Sequence, residues 1–192
     1  MQKWQSIKTY GNDRGLSCVF RQWRATHSHC SQTHAYSLGF EFVWESTTLD
    51  SRTWAFDFGG MGPIKKWLDH MFDHTWLLAH DDPAMDEIKK LAEFSTIPEY
   101  NGVPRDMSQH EFDNGFYDPT FIAPFKEGRI CDLRIVPGVG CEMTAKMVYD
   151  KSIVFLNDMK SGKDSRYDIN PDVRLVSVKC FEHAGNAAVY FG

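Results

Sequence analysis

Two stretches of the chain alternate apolar and polar side chains and are joined by a short polar segment, and this pairing most constrains the fold. Residues Gly15–Ala25 (GLSCVFRQWRA) and Ala35–Trp44 (AYSLGFEFVW) both carry the two-residue period of a half-buried strand. Between them lies Thr26-His27-Ser28-His29-Cys30-Ser31-Gln32-Thr33, too polar and turn-rich to continue either strand. The chain therefore reverses here, and the two strands pair antiparallel.

A third extended piece is expected at Thr53–Phe58 (TWAFDF), ending just before Gly59-Gly60. Pro63 suits the first turn of a helix over about Ile64–Phe72, with Trp67, Leu68 and Met71 on one face. Asp86–Glu93 carries a short helical pattern. A second main helix is expected from Cys141 to about Asn157, with Met143, Ala145, Met147, Val148, Ile153 and Val154 at its apolar positions. Arg174–Phe181 and Ala187–Phe191 form a closing hairpin around His183-Ala184-Gly185-Asn186. Two strands, two helices and two strands define a single α+β domain over residues 1–192, with a four-stranded antiparallel sheet and both helices on one face. Residues Ser95–Glu127 are dense in Pro, Gly, Asn and Asp, and read as an insertion.

Composition narrows the function without naming it. The 192 residues include 26 acidic and 21 basic side chains, a net charge of −5, which speaks against phosphate-driven nucleic-acid binding. No apolar run has the ~18–20 residues of a membrane helix, and Met1-Gln2-Lys3-Trp4-Gln5 lacks the apolar stretch of an export signal. The five cysteines include no C-x-x-C pair, so the expected setting is a reducing cytoplasm, with most of them buried as small hydrophobes.

Three clusters can carry chemistry. Cys30 precedes His34 by four residues, with Arg24 before it and Tyr36 after; a thiol becomes a base or nucleophile as its thiolate, which a nearby cation or imidazole favours. Asp73-His74 follows the first helix, and a carboxylate beside an imidazole orients it for acid–base work. Asp69-His70 repeats the same letters one turn earlier, where His70 and His74 would share a helix face as an H-x-x-x-H pair able to bind metal; His70 reads rather as a polar helix residue. Glu182 ends an apolar strand, where a carboxylate can take two parallel N–H bonds from a guanidine-like ring edge.

In order along the chain, Phe20-Arg21-Gln22-Trp23-Arg24, Cys30-Ser31-Gln32-Thr33-His34-Ala35-Tyr36, Asp57-Phe58, Phe72-Asp73-His74, Gly140-Cys141-Glu142 and Val178-Lys179-Cys180-Phe181-Glu182-His183 are similar to the 6-pyruvoyl-tetrahydropterin synthase / 6-carboxytetrahydropterin synthase family. The resemblance implies the tunnelling fold (T-fold) with ββααββ order. It also implies a pterin triphosphate substrate and a hexamer with active sites between subunits. Cys30 falls on the catalytic cysteine, Asp73 and His74 on the pair that serves it, and Glu182 on the acid that anchors the pterin. Cys141 and Glu142 fall on the helix-opening segment that lines the pterin pocket, and the Asp-Phe to Asp-His interval selects Asp73-His74 over Asp69-His70. The implied activity is that of a queuosine-pathway lyase, forming 6-carboxytetrahydropterin from 7,8-dihydroneopterin triphosphate. A pyruvoyl product, or pterin binding without catalysis, is the alternative.

The resemblance breaks at the metal. The family holds zinc with one histidine on the first strand and a His-x-His on the second. Here those positions read Arg24 and His34-Ala35-Tyr36, and arginine stays protonated. Three readings stay open: a metal-free site in which Arg24 supplies the positive charge, a displaced zinc held by His27, His29 and His34, or loss of catalysis. Arg21, Lys65 and Lys66 are candidates to meet the triphosphate.

Overall fold

The computed structural model describes residues 2–93, 130–162, 167 and 169–192; the expected insertion at 95–127 lies outside them. Its spine is one long strand. β1 (Trp4–Tyr10) and β2 (Leu16–Phe20) lie end to end along one edge of β3 (His34–Ser46), separated by a 3-10 turn at Asn12–Arg14. β1 pairs antiparallel with the second half of β3, from Tyr10↔Phe40 to Trp4↔Ser46, and β2 with the first half, from Leu16↔Leu38 to Phe20↔His34. On the other edge β6 (Arg174–His183) pairs antiparallel with β3 and carries β7 (Asn186–Phe191) as a hairpin. β4 (Thr75–Ala79) and β5 (Leu133–Val136) extend the sheet beyond β2 and run parallel to it and to each other.

The closing hairpin and the paired first strands therefore agree with the sequence pattern, within a sheet of seven strands rather than four. β4 and β5 escape the alternation rule for a physical reason. Both are buried nearly throughout, and two-sided burial gives a continuous apolar run, TWLLA and LRIV, rather than an alternating one. The expected third strand at Thr53–Phe58 is not one. Asp50 accepts hydrogen bonds from the Arg52 and Trp54 amides at 2.8 and 2.9 Å, folding the backbone into a turn. Asp57 then caps a 3-10 turn over Phe58–Met61 through the Gly59 amide at 2.8 Å. The first strand also stops at Phe20, because Gln22, Ala25 and Ser28 enter successive turns.

Three helices are described: α1 (Gly62–Phe72), α2 (Met85–Glu93) and α3 (Cys141–Lys160). α1 buries Ile64, Trp67, Leu68, Met71 and Phe72, the three-and-four spacing of one helix face. α3 buries Ala145, Val148, Phe155, Leu156 and Met159; Met143 and Val154, expected inward, fall off that stripe and are exposed. On the sheet side the core is the even-numbered face of β3, Leu38, Phe40, Phe42 and Trp44, with Phe56 stacked on Trp44 at 4.3 Å. No helix of the described residues is long and apolar enough to cross a membrane.

The far end of β3 is secured by charge. Glu45 is buried and accepts from Lys3 at 2.9 Å, Arg174 at 2.8 Å and Gln5 at 3.1 Å. Asp172 accepts from Ser46, Thr47 and Thr48, closing the turn after β3 onto the entry to β6. The Lys3, Arg174 and Gln5 hydrogen bonds outweigh burial and hold the Glu45 carboxyl at about 2, against an ordinary 4.5. A carboxyl depressed in the folded state stabilises it above the unfolded value, and that contribution disappears as pH falls toward the folded one. Glu45→Gln is expected to lower the denaturation midpoint at pH 7. The deficit should shrink between pH 4.5 and pH 2, read by urea unfolding across that range.

Candidate active site

At its first-half end the inward face of β3 changes character. Beyond Leu38 it presents Tyr36 and His34, half-buried, where the core opens toward solvent. Three rings hold Tyr36: Phe20 at 5.9 Å, His34 at 5.5 Å in an edge contact, and His183 at 6.3 Å. The groups that act electrostatically on its phenol are Glu182, Cys30 and Cys141, and with burial, the largest influence, they push its pKa above the usual 10. One residue of β3 therefore gathers residues from the loop after β2, the N-terminus of α3 and the end of β6.

Each arrives by a local device. Cys30 sits in a 3-10 turn, His29–Ser31, where the Ser28 hydroxyl accepts from its amide at 3.2 Å. Its carbonyl takes the Gln22 amide at 2.8 Å, tying the loop to the end of β2. Glu182 occupies a β-bulge: Phe181 pairs with Ala187 and His183 with Asn186, so Glu182 is the extra residue. Asn12, which the sequence pattern did not single out, fixes that bulge. Its side-chain amide donates to the carbonyls of Ser37 at 2.5 Å and of Phe181 and Glu182, each at 3.2 Å. Phe181 crosses to the opposite face over Gly39, where a Cβ would lie 2.0 Å from its ring.

Behind this cluster lie three thiols. Cys18, opposite Tyr36 in the β2–β3 ladder, and Cys180, two residues before Glu182, are buried in the core, and Cys141 packs against it. Burial pushes Cys18 up to about 12, and a hydrogen bond with Cys141 together with burial raises Cys180 further from its ordinary range. Both are un-ionised packing groups at neutral pH. Glu142, in the first turn of α3, is exposed, and Gly140 gives that helix no side-chain cap.

Asp73 and His74 lead into β4, where the next residue, Thr75, pairs with Cys18 of β2. Asp73 ends α1, and His74 follows at φ 54°, its amide donating to the Ser17 carbonyl at 2.8 Å. His74 Nδ1 lies 2.6 Å from the Asp73 carboxylate, yet the two side chains are 87% and 45% exposed. The pair is formed and oriented, and its own chain leaves it uncovered. The competing His70 is part of a structural contact, its carbonyl accepting from the buried Arg134 guanidinium at 2.9 Å.

The two arginines are engaged. Arg24 pairs with Asp81 at 2.6 Å, lies 4.4 Å over the Trp23 ring and is 70% exposed, while Trp23 Nε1 donates to the same carboxylate at 3.2 Å. Arg21 forks onto the fully buried Asp82 carboxylate, with its Nε at 2.8 Å. Burial opposes ionisation of Asp82, but Arg21 and the Ala84 amide hold its pKa below the ordinary value. Asp81 and Asp82 carry no motif signal; only the folded chain brings the β4–α2 turn against the end of β2. Lys65 and Lys66 are exposed on α1. Arg24, Ala25, Trp23 and Asp81 form one wall of a cleft of about 340 Å³, facing Gly138 and Gly140 at the start of α3.

The residues at the three-histidine position do not fit a zinc ion. A guanidinium paired with Asp81 replaces one imidazole and a phenol another. His34, whose Nδ1 donates to the Gln32 carbonyl at 2.8 Å, offers only its Nε2. The displaced set fares no better, because His27 and His29 are exposed along the turn. Among the described residues no three His, Cys, Asp or Glu side chains converge as a metal ion requires.

A β-sheet backed on one face by α1 and α3 and covered by α2 on the other face of β4 and β5, with a carboxylate, a thiol and a phenol at the open end of the core, defines a T-fold chain. Solved structures align over nearly the full length. An uncharacterised protein of Wolinella succinogenes matches with TM-score 0.63 and 16% identity, covering 100% of this chain and 99% of that one. A catalytic-residue mutant of Plasmodium vivax 6-pyruvoyltetrahydropterin synthase matches at 0.56 and 11%, and the Plasmodium falciparum enzyme at 0.54 and 10%, each covering 99% of this chain and 98% of its own. No curated protein sequence matches. The family model of 6-pyruvoyl tetrahydropterin synthase matches residues 13–192, and the chain belongs to that family.

Removing Arg21 leaves a buried carboxylate without its partner. Arg21→Ala is expected to cost about 3 kcal/mol in urea unfolding at pH 7, whereas Arg24→Ala, at an exposed pair, should cost under about 1 kcal/mol.

Proposed function

We propose that this chain is a lyase of pterin chemistry, similar to 6-carboxytetrahydropterin synthase, acting on 7,8-dihydroneopterin triphosphate. With water, the products are 6-carboxytetrahydropterin, acetaldehyde and triphosphate, an early step toward 7-deazaguanines. The observation that carries the reading is the convergence of Glu182, Cys30 and Tyr36 at the open end of the core, in a chain of this family. No hydrogen bond or ion pair among the described residues engages the Glu182 carboxylate or the Tyr36 hydroxyl, so both are available to a ligand.

Glu182 accepts the two parallel N–H groups on the guanidine-like edge of the pterin and fixes the ring. Cys30, as thiolate, takes a proton from the side-chain carbon next to the ring. His74, held by Asp73, exchanges protons with the intermediate. Because both side chains stand exposed on their own chain, a second copy brings them to the site, as expected of an oligomer with shared active sites. Lys65 and Lys66 are the exposed cations near α1 that remain for the triphosphate, Arg21 being held by Asp82.

Anaerobic incubation with 7,8-dihydroneopterin triphosphate, followed by mass spectrometry, separates the carboxy from the pyruvoyl product. Cys30→Ala is expected to abolish turnover and leave pterin affinity intact. Binding without turnover in the unaltered chain would instead assign it to a pterin-binding role.

A further inference from the structure

We propose that the Tyr36 hydroxyl, rather than a metal ion, is the electrophilic group of this site: it donates a hydrogen bond to the substrate side-chain oxygen as that oxygen becomes enolate-like. The inference rests on the pterin reading above and goes beyond it by assigning the charge-stabilising role to one residue.

Three observations lead to it. The three-histidine position holds a guanidinium turned onto Asp81, a single imidazole and this phenol, a donor set unsuited to zinc. Second, Tyr36 is placed rather than merely present. Phe20, His34 and His183 pack around its ring, and Cys18 faces it across the β2–β3 ladder. Its hydroxyl has no hydrogen-bond partner among the described residues, although the Asn12 amide and the Ser28 hydroxyl are both engaged. Third, the groups around it are those a pterin side chain must meet, with Cys30 to take the proton and Glu182 to hold the ring. A phenol is an O–H donor at neutral pH, and a fixed donor aimed at developing charge requires little reorganisation during reaction.

The step balances without a co-reactant. The C–H bond of the hydroxyl-bearing carbon breaks, its proton passes to the Cys30 thiolate, and its electron pair enters the conjugated dihydropterin ring. The ring nitrogen that receives the pair takes a proton delivered by His74, which leaves a reduced ring and an enol. The enol O–H then gives its proton to solvent as that carbon moves toward the carbonyl level, so the oxidation is internal and the charge that appears on the oxygen is the one Tyr36 meets. Tyr36 keeps its own proton throughout. It stabilises the oxygen on the carbon being oxidised.

The test is steady-state kinetics on 7,8-dihydroneopterin triphosphate for the wild-type chain and Tyr36→Phe, with neopterin binding by fluorescence titration, thermal unfolding, and metal content before and after EDTA dialysis. Loss of an oxyanion donor costs about 100- to 1,000-fold in kcat. Tyr36→Phe should show that loss, with KM and neopterin affinity within about threefold of wild type and an unchanged unfolding midpoint. The chelation arm uses the wild-type chain, so it stands however the variant folds: EDTA dialysis should leave its kcat unchanged. A Tyr36→Phe kcat within about threefold of wild type, or wild-type activity that EDTA removes and zinc restores, overturns the inference while leaving the pterin reading in place. A wild-type chain that binds neopterin but turns over no substrate overturns the catalytic reading and this inference together.

Discussion

The antiparallel pairing of β3 on both edges is the constraint on which everything else depends. At thirteen residues it is long enough to take β1 and β2 in succession along one side while β6 runs along the other. Its inward face is then shared between two duties. The second half, with Phe40, Phe42 and Trp44 almost wholly buried, anchors the core, and Glu45 ties its end to Lys3 and Arg174. The first half, with His34 and Tyr36, runs past the last core layer to the open end of the core. Because one strand does both, stability and site geometry are mechanically coupled. A shift of register by one residue would turn Tyr36 to the outer face along with the whole core column.

The parts of this architecture legible in the sequence are those whose burial is one-sided. β2, β3, β6 and β7 alternate because one face meets the helices and the other does not, and α1 and α3 show a helical stripe for the same reason. β4 and β5 are covered on both faces, and their apolar runs lose the two-residue signature. β1 has the converse difficulty: its inward residues Trp4, Ser6, Lys8 and Tyr10 are only half-buried and chemically mixed, so alternation in space is not alternation in hydropathy. Thr53–Phe58 misleads because side-chain caps at Asp50 and Asp57 override an extended propensity.

Legibility at the site divides in the same way. Cys30, Glu182 and the Asp73-His74 pair stand in short motifs that resemble a family, and such motifs survive in linear form. Asn12 reaches carbonyls 25 to 170 residues away, Asp81 and Asp82 take side chains 58 and 61 residues away, and no local pattern announces them. Tyr36 falls between the two cases. Its position in the Cys30–Tyr36 segment marked it, but its neighbours come from three separate elements.

The departures from the three-histidine pattern form a consistent set, and this bears on whether the site is degraded or rebuilt. Replacing a ligand histidine by arginine introduces a permanent charge, which a site losing its function would leave without a counterion. Here Asp81 meets Arg24 at 2.6 Å, Trp23 stacks beneath the guanidinium and donates to the same carboxylate, and the adjacent Asp82 takes Arg21. Every charge introduced beside the site is neutralised locally. By contrast, the groups proposed to engage a pterin, the Glu182 carboxylate and the Tyr36 hydroxyl, have no hydrogen-bond partner among the described residues. Neither is sealed from solvent, so water satisfies them in the absence of a ligand. Random decay predicts the opposite distribution, with stray charges at the rim and collapsed polar groups within. A paired rim around open polar groups supports the proposal that the site is reorganised to work with a different electrophile.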